Sequence, residues 1–260
     1  MIGADPEFFL INSETGLKSS IGLIGGSKEH PAPIGRDGFF VQEDNVAVEI
    51  NIPPAATADA FIESLTWAKT RVSEAIASLN LKIYIESWAV FPPEELATPR
   101  AQVFGCDPDY SVWTNGKPNS KPVSANPALR TCGGHVHFGW DNPDRELRMR
   151  LGRMCDLYLG VPSVLMDNKG AKRQELYGKA GACRFPKYGL EYRVLSNFWL
   201  EDEKRMRWVY DQAQTAFSLA QDDAAMEQLM KDQSRIVDAI NGYDCGLASD
   251  LCRDYSIVRI

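Results

Sequence analysis

The chain has 260 residues, 44% of them hydrophobic and 24% charged, which is the composition of a globular domain with one sizeable core. Its net charge of −7 speaks against general nucleic-acid binding, which needs a broad basic surface, but not against a nucleotide site of a few arginines and bound cations. MIGADPEFFL has no basic leader before an apolar run, and no apolar stretch reaches membrane-spanning length. A cytoplasmic protein with no membrane partner is therefore expected. The six cysteines, Cys106, Cys132, Cys155, Cys183, Cys245 and Cys252, form no CxxC pair and read as reduced thiols. Cys245 and Cys252 lack the two further ligands a zinc site needs, and Cys132 reads as a small buried thiol rather than a nucleophile.

In chain order, residues 3–12 read as a strand, followed by a Gly-, Ser- and Pro-rich excursion to about Gly38. Phe39 to Ile52 reads as a second strand or hairpin arm stopped by Pro53-Pro54. Thr57 is a good N-cap, and Phe61, Leu65, Ala68, Val72, Ile76 and Leu79 then mark a helix ending near Asn80. Lys82 to Val90 alternates like a strand, and Phe91 to Arg130 reads mostly as loop. Thr131 to Trp140 is a short strand with a glycine pair. Leu147, Leu151, Met154 and Tyr158 mark a helix broken at Pro162, and Leu190 to Leu200 reads as another strand. Helices near 202–220 and 224–240 follow, the second closing at Asn241-Gly242. The pattern predicts a single α+β domain over 1–260, mainly antiparallel, with a helical C-terminal region over 201–260.

Four predicted strands place ionisable side chains two residues apart, and residues i and i+2 of a strand share a face. In GADPEFFL, Asp5 and Glu7 project together; in QEDNVAVEI, Glu43, Asn45 and Glu49 share a face. His135 and His137 do so in GGHVHFG, and Glu191 and Arg193 in LEYRVLSN. Each pair alone has a plainer reading, an exposed strand face for the acids and a satisfied core pair for the histidines. Together they suggest a common cleft, where gathered carboxylates would repel unless divalent cations lay between them. Several carboxylates and an imidazole suit Mg²⁺ or Mn²⁺.

These segments resemble a known family. GADPEFFL, EDNVAVEI, GGHVHFGW and LEYRVLSNFWL, in that order, look like the metal- and nucleotide-binding strands of the glutamine-synthetase catalytic domain. Taken over residues 2–200, GADPEFFL, QEDNVAVEINIPPA, GGHVHFGW and YGLEYRVLSNFWL more closely resemble the phage-type amidoligases called COOH–NH₂ ligase type 2. The chain departs from glutamine synthetase in having Asp5 at the first acidic position and no locatable flap acid for the amine proton. The resemblance implies a glutamine-synthetase-like fold, and the host cytoplasm as location if the protein is phage-encoded.

It also implies roles. One Mg²⁺ or Mn²⁺ would be held by Glu7, Glu43 and Glu49, and a second by Asp5, His135 and Glu191. His137 would approach the ATP phosphates, and Arg193 would lie where charge develops on the transferred phosphoryl group. The basic stretch KRQELYGKAGACR offers Arg173, Lys179 and Arg184 to the same polyanion, or else is a solvated basic loop. GLIGGSK is not a Walker A loop, though Lys28 can meet a phosphate or carboxylate. The implied reaction joins small-molecule or peptide carboxylates to amines through an acyl phosphate. A guanidino kinase would use the same metals and arginines, and a non-catalytic phage binding protein is the third reading. A metal-dependent amidohydrolase would need further histidines, and only His30 remains.

Overall fold

The structure, a computed structural model, describes residues 1–103, 109–120 and 123–260. Cys106 and part of the region expected to be loop lie outside the described residues. The segment predicted as one strand over 3–12 is two, β1 (Ile2–Ala4) and β2 (Glu7–Asn12), separated at Asp5-Pro6. β3 (Gly16–Lys18) and β4 (Ala32–Pro33) lie in the Gly- and Pro-rich excursion. β5 (Phe40–Asp44) and β6 (Ala47–Ala55) form a hairpin whose two-residue turn is Asn45-Val46. Asn45 takes φ 55°, a conformation that asparagine tolerates better than most residues. β6 continues through Pro53-Pro54 instead of stopping there. Its register against β1 slips by one residue between Ala4↔Ile52 and Ile2↔Ala55, and this bulge absorbs the missing N–H groups.

Helix α1 (Ala58–Ile76) starts at Thr57, whose side chain accepts from the Ala60 N–H, and buries Phe61, Leu65, Ala68, Val72 and Ile76. Leu79, the end of the predicted stripe, lies past the helix and is exposed. The strand expected over 82–90 is also two: β7 (Leu81–Tyr84) joins β2, and β8 (Trp88–Val90) leaves for a separate pair. Short pieces follow: α2 (Pro99–Gln102), β9 (Tyr110–Ser111), β10 (Lys117–Pro118) and β11 (Leu129–Thr131). Then come β12 (Val136–Gly139), α3 (Arg145–Cys155) and α4 (Val161–Met166). The break expected at Pro162 is a π-helical turn over Asp156–Gly160, which leaves Pro162 in the first turn of α4.

α5 (Gly170–Gln174), β13 (Ala182–Arg184) and β14 (Gly189–Tyr192) complete the site-bearing part. The strand predicted to reach Leu200 ends at Tyr192 and gives way to a 3-10 turn over Asn197–Leu200. The C-terminal region is helical: α6 (Glu203–Leu219), α7 (Asp223–Lys231), α8 (Gln233–Asn241) and α9 (Cys245–Asp254). The single helix expected over 224–240 is thus two, meeting at Asp232, and α9 falls in the region expected to be helical although no separate helix was marked there.

The strands pair antiparallel in the order β10-β9-β13-β14-β12-β1-β6-β2-β3, with β5 and β4 beyond β6, β7 on β2, and β11 paired to β8 apart. Helices and a mainly antiparallel sheet make this an α+β fold. Helix α6 packs on both α1 and α3, and these cover β6 and β14 respectively. Strand alternation sends Phe8, Leu10, Val48, Ile50 and Ile52 into that helix-covered core. Phe9, Val46 and Ala47 join a smaller cluster on the other side, with Ala89, Phe91, Leu96 and Cys132. No helix among the described residues is long and apolar enough to cross a membrane.

Asp156, in the π-helical turn, is fully buried and accepts from Trp113 Nε1 at 2.6 Å and from the Tyr192 hydroxyl at 2.8 Å. Asp156→Leu strands two buried donors and should cost about 3 kcal/mol or more in urea unfolding. Asp156→Asn, whose carbonyl oxygen keeps one bond, should cost less. Equal stability of Asp156→Leu and the natural chain would contradict this role.

Candidate active site

Three antiparallel strands bring the histidines to the acids. In the ladders Gly3 stands opposite His137, His137 opposite Glu191, and Glu191 opposite Arg184, so these residues share one sheet face. Asp5 and His135 lie two residues further along β1 and β12 and meet on the same side. Asp5 Oδ1 is 3.2 Å from His135 Nδ1 and 3.0 Å from His137 Nε2. Glu191 Oε1 is 3.8 Å from His135 Nδ1 and 3.5 Å from Arg184 Nη1, and it forms an ion pair with Arg193. Arg193 Nη1 also lies 3.3 Å from His135 Nδ1.

A second acidic group sits beside the first. Glu7 stands opposite Glu49 in the β2–β6 ladder, and Asp44 reaches them from the β5 end of the hairpin. Ligand atoms of Asp5, His135 and Glu191 all lie within 4.8 Å of one another, and so do those of Glu7, Asp44 and Glu49. Gln42 and Asn51 donate to Glu49 Oε1 at 2.9 and 3.3 Å.

Of the expected first set, Glu43 is the correction. Counting by twos from 43 to 49 presumes one straight strand, whereas a two-residue hairpin turn reverses the parity between its arms. Glu43 therefore stands opposite Val48, on the other face from Glu49. Its carboxylate accepts from the Gly22 and Gly25 N–H groups at 2.8 and 2.9 Å and from Arg100 at 2.6 Å. Glu43 thus anchors the excursion loop at the cleft rim, and Asp44 takes the place beside Glu7. The Asp-Asn step before an apolar run was the available signal for that turn.

The glycine pair before the histidines has a local reason. The Gly133 N–H donates to the Glu7 carboxylate at 2.7 Å, and the Glu7 N–H donates to the Gly133 carbonyl at 2.9 Å. A Cβ on Gly133 would strike the His135 ring, and one on Gly134 would strike the Ser196 carbonyl and the Trp199 indole. The close approach is thus to the protein's own chain. Asn197 Nδ2 and Trp199 Nε1 fasten the same corner, donating to the Glu7 and Gly134 carbonyls at 2.9 and 3.2 Å.

The expected basic residues divide. A cleft of about 300 Å³ is lined by Glu7, Asp44 and His135 together with Lys28, Arg173 and Arg193. Arg100 and Arg130 also line it and were not foreseen. Arg130 is spent on the Ala101, Pro127 and Leu129 carbonyls, and Arg173 donates to the Val194 carbonyl at 2.8 Å. Lys179 stands outside this lining, and Arg184 sits in β13 beside Glu191 rather than in a loop. Cys132 is buried, and burial followed by the Glu7 charge pushes its thiol well above the ordinary range, which suits an inert thiol. Neither group of potential metal ligands among the described residues contains a cysteine.

A family model described as phage phiEco32-like COOH-NH2 ligase-type 2 matches residues 120–241. Over that segment, somewhat under half of the chain, the sequence is similar to this family. The family's name describes a carboxylate–amine ligase. No curated protein matches the chain. The segment shared with the COOH-NH2 ligases carries His135, His137, Arg173, Lys179, Arg184, Glu191 and Arg193, while Asp5, Glu7, Asp44 and Glu49 come from strands before it.

Divalent cations fit this donor set. Asp5 Oδ1 and His137 Nε2 are buried, and although 3.0 Å apart they are not aligned to hydrogen bond with each other. Burial tends to raise the Asp5 pKa, but the nearby His137 and His135 outweigh it and hold Asp5 far below the carboxylate range. Burial and the charge of Asp44 push Glu7 up to about 8 against the opposing Gly133 N–H, Arg193 and Arg173. Burial, then Asp5 and Glu7, push Glu49 well above its ordinary value. Without a cation, two of the acids thus favour protonation, as crowded and desolvated carboxylates should.

A pH dependence follows. Carboxyls with folded pKa values above their unfolded value of 4.5 keep protons that the unfolded chain has released, so their stabilising contribution fades as pH rises toward 8. Asp156, pushed up to about 7 by burial, and His137, raised on balance by Asp5, act in the same direction; His135, lowered by burial and then by Arg193, opposes them. In chelator the thermal midpoint should fall between about pH 5 and pH 8, and Glu7→Gln should flatten the fall. A flat natural profile would contradict the crowding.

A second measurement separates the neighbouring acids. Asp44→Asn should weaken Mn²⁺ binding in calorimetry by about tenfold or more, whereas Glu43→Gln should mainly lower the thermal midpoint. The reverse pattern would restore Glu43 as the ligand.

Proposed function

We propose that the protein is an ATP-dependent carbon–nitrogen ligase that activates a carboxylate as an acyl phosphate and passes it to an amine, using Mg²⁺ or Mn²⁺. The observation that carries this reading is the pair of adjoining ligand groups, with Arg193 paired to Glu191, beside a cleft that Glu7, Asp44, His135 and Arg193 line together. Glu7, Asp44 and Glu49 would hold one cation and Asp5, His135 and Glu191 the other, on a sheet of the glutamine-synthetase-like kind. Bound there, the cations would supply charge neutralisation for a transferring phosphoryl group.

The chain's own residues do the positioning. Gly133 and Asn197 hold Glu7 from its carboxylate and carbonyl sides, and Gln42 and Asn51 orient Glu49. His137 is turned by the Tyr188 hydroxyl, 2.6 Å from Nδ1, so that Nε2 faces Asp5 and any phosphate beyond it. Arg193, with Arg184 on the other side of Glu191, presents fixed positive charge where negative charge grows on the γ-phosphoryl oxygens. Arg173 and Lys28 add positive charge along the cleft for the carboxylate substrate. In the chemical steps the carboxylate oxygen attacks the γ-phosphorus and ADP leaves, then the amine nitrogen attacks the acyl carbon and phosphate leaves. Positioning and charge stabilisation carry this sequence, so it needs no Ser or Cys nucleophile.

Trapping tests the reading directly. With ATP, Mg²⁺, a pool of carboxylates and hydroxylamine, mass spectrometry should find a hydroxamate; a stable phosphoguanidine from guanidino substrates would instead favour a kinase. Arg193→Lys keeps the charge and loses the planar fork, so kcat should fall by about tenfold or more while the thermal midpoint changes little. An Arg193→Lys enzyme that is fully active but destabilised would make Arg193 a structural ion pair only.

A further inference from the structure

A second cavity, of about 740 Å³ and in the size range of small-molecule sites, shares no lining residue with the basic cleft. Asp5 and His137 form part of its wall, and the rest is largely apolar, with Pro54, Trp140, Tyr188 and Phe217. The rings are held by the fold. The Trp140 backbone N–H donates to the Tyr188 carbonyl at 3.2 Å, which sets these residues side by side just past the paired ends of β12 and β14. Trp140 packs edge-on against Phe217 of α6, with ring centroids 5.6 Å apart. Gly189, at φ +154°, leaves room for the indole, since a Cβ there would lie 2.6 Å from Trp140 Cζ3. Tyr188 hydrogen-bonds His137 at one end yet leaves 47% of its surface exposed at the cavity.

We propose that this aromatic cavity seats the base of the nucleotide, with Tyr188 and Trp140 as its stacking walls. The proposal rests on the ATP-dependent reading above and deepens it. A nucleotide has an anionic and an aromatic end, and this cavity places an aromatic wall directly beside His137 and the Asp5 group. The triphosphate then runs from Tyr188 past His137 toward Glu191 and Arg193, leaving the basic cleft to the carboxylate. Asp141, also on the wall, is an acceptor for a base amino group. Stacking on rings supplies affinity that the phosphates alone do not.

Calorimetry with Mg²⁺ and either ATP or inorganic tripolyphosphate separates the two ends of the ligand. The natural protein should bind ATP roughly tenfold or more tightly than tripolyphosphate, the scale of one stacked base. Tyr188→Ala should erase most of that difference, while Tyr188→Phe, which keeps the ring and loses the hydroxyl that turns His137, should retain it even where binding of both probes weakens. Equal affinity for the two probes in the natural protein, or an ATP preference untouched by Tyr188→Ala, would overturn the base site while leaving the ligase reading intact. Binding of neither probe would overturn both.

Discussion

Five carboxylates, those of Asp5, Glu7, Asp44, Glu49 and Glu191, converge on one side of a sheet, and four of them are largely withdrawn from water. Nearly every local feature of the site region can be traced to this crowding. Negative charges at this density destabilise one another unless cations, protons or hydrogen-bond donors offset them. The protein supplies part of the offset itself through Arg193 and Arg184 on Glu191, two histidines on Asp5 and one backbone N–H on Glu7. The remainder is left to protonation or to bound cations, and the raised pKa values of Glu7 and Glu49 register that shortfall.

Holding such a cluster requires a stiff frame. Glu7, Gly133, Gly134, Asn197 and Trp199 are cross-bonded through their main chains and side chains. The fully buried Trp199 in turn stacks with Phe61 of α1, which ties the site to the main helical core. On the far side, Phe9 and Phe91 pack edge to face and carry the segment that leads to β11 and the cleft wall. The ligand-bearing strands are thus clamped between two apolar clusters, the arrangement that keeps repelling side chains from swinging apart.

Much of this was legible in the sequence because it depends on period-two alternation within single strands. Spacing paired Asp5 with Glu7, His135 with His137 and Glu191 with Arg193, the resemblance grouped Asp5, His135 and Glu191, and strand pairing between β1, β12 and β14 brings these three together. Reading failed where the chain changes direction without a strong breaker. Asp44 was hidden because Asn45-Val46 makes a tight turn inside what looks like one apolar-alternating run. Pro53-Pro54 misled in the opposite sense, since a bulge lets the strand carry both prolines. Pro162 likewise follows a π-helical turn that the helical pattern does not announce. The C-terminal helices carried no motif, yet Phe217 of α6 reaches a cavity wall, a contact that only packing reveals.

The hairpin turn has a consequence beyond the identity of one ligand. Had β5 and β6 been a single strand, Glu43 would have faced the cluster and the Gly22–Gly25 loop would have lost its anchor. With the parity reversed, adjacent acids in the sequence serve opposite faces: Glu43 binds the loop N–H groups and Arg100, and Asp44 joins Glu7 and Glu49. The loop held by Glu43 leads into Ser27 and Lys28 on the cleft wall. One two-residue turn therefore couples the acidic cluster to the basic rim that faces it, and a shift of register there would disturb both together.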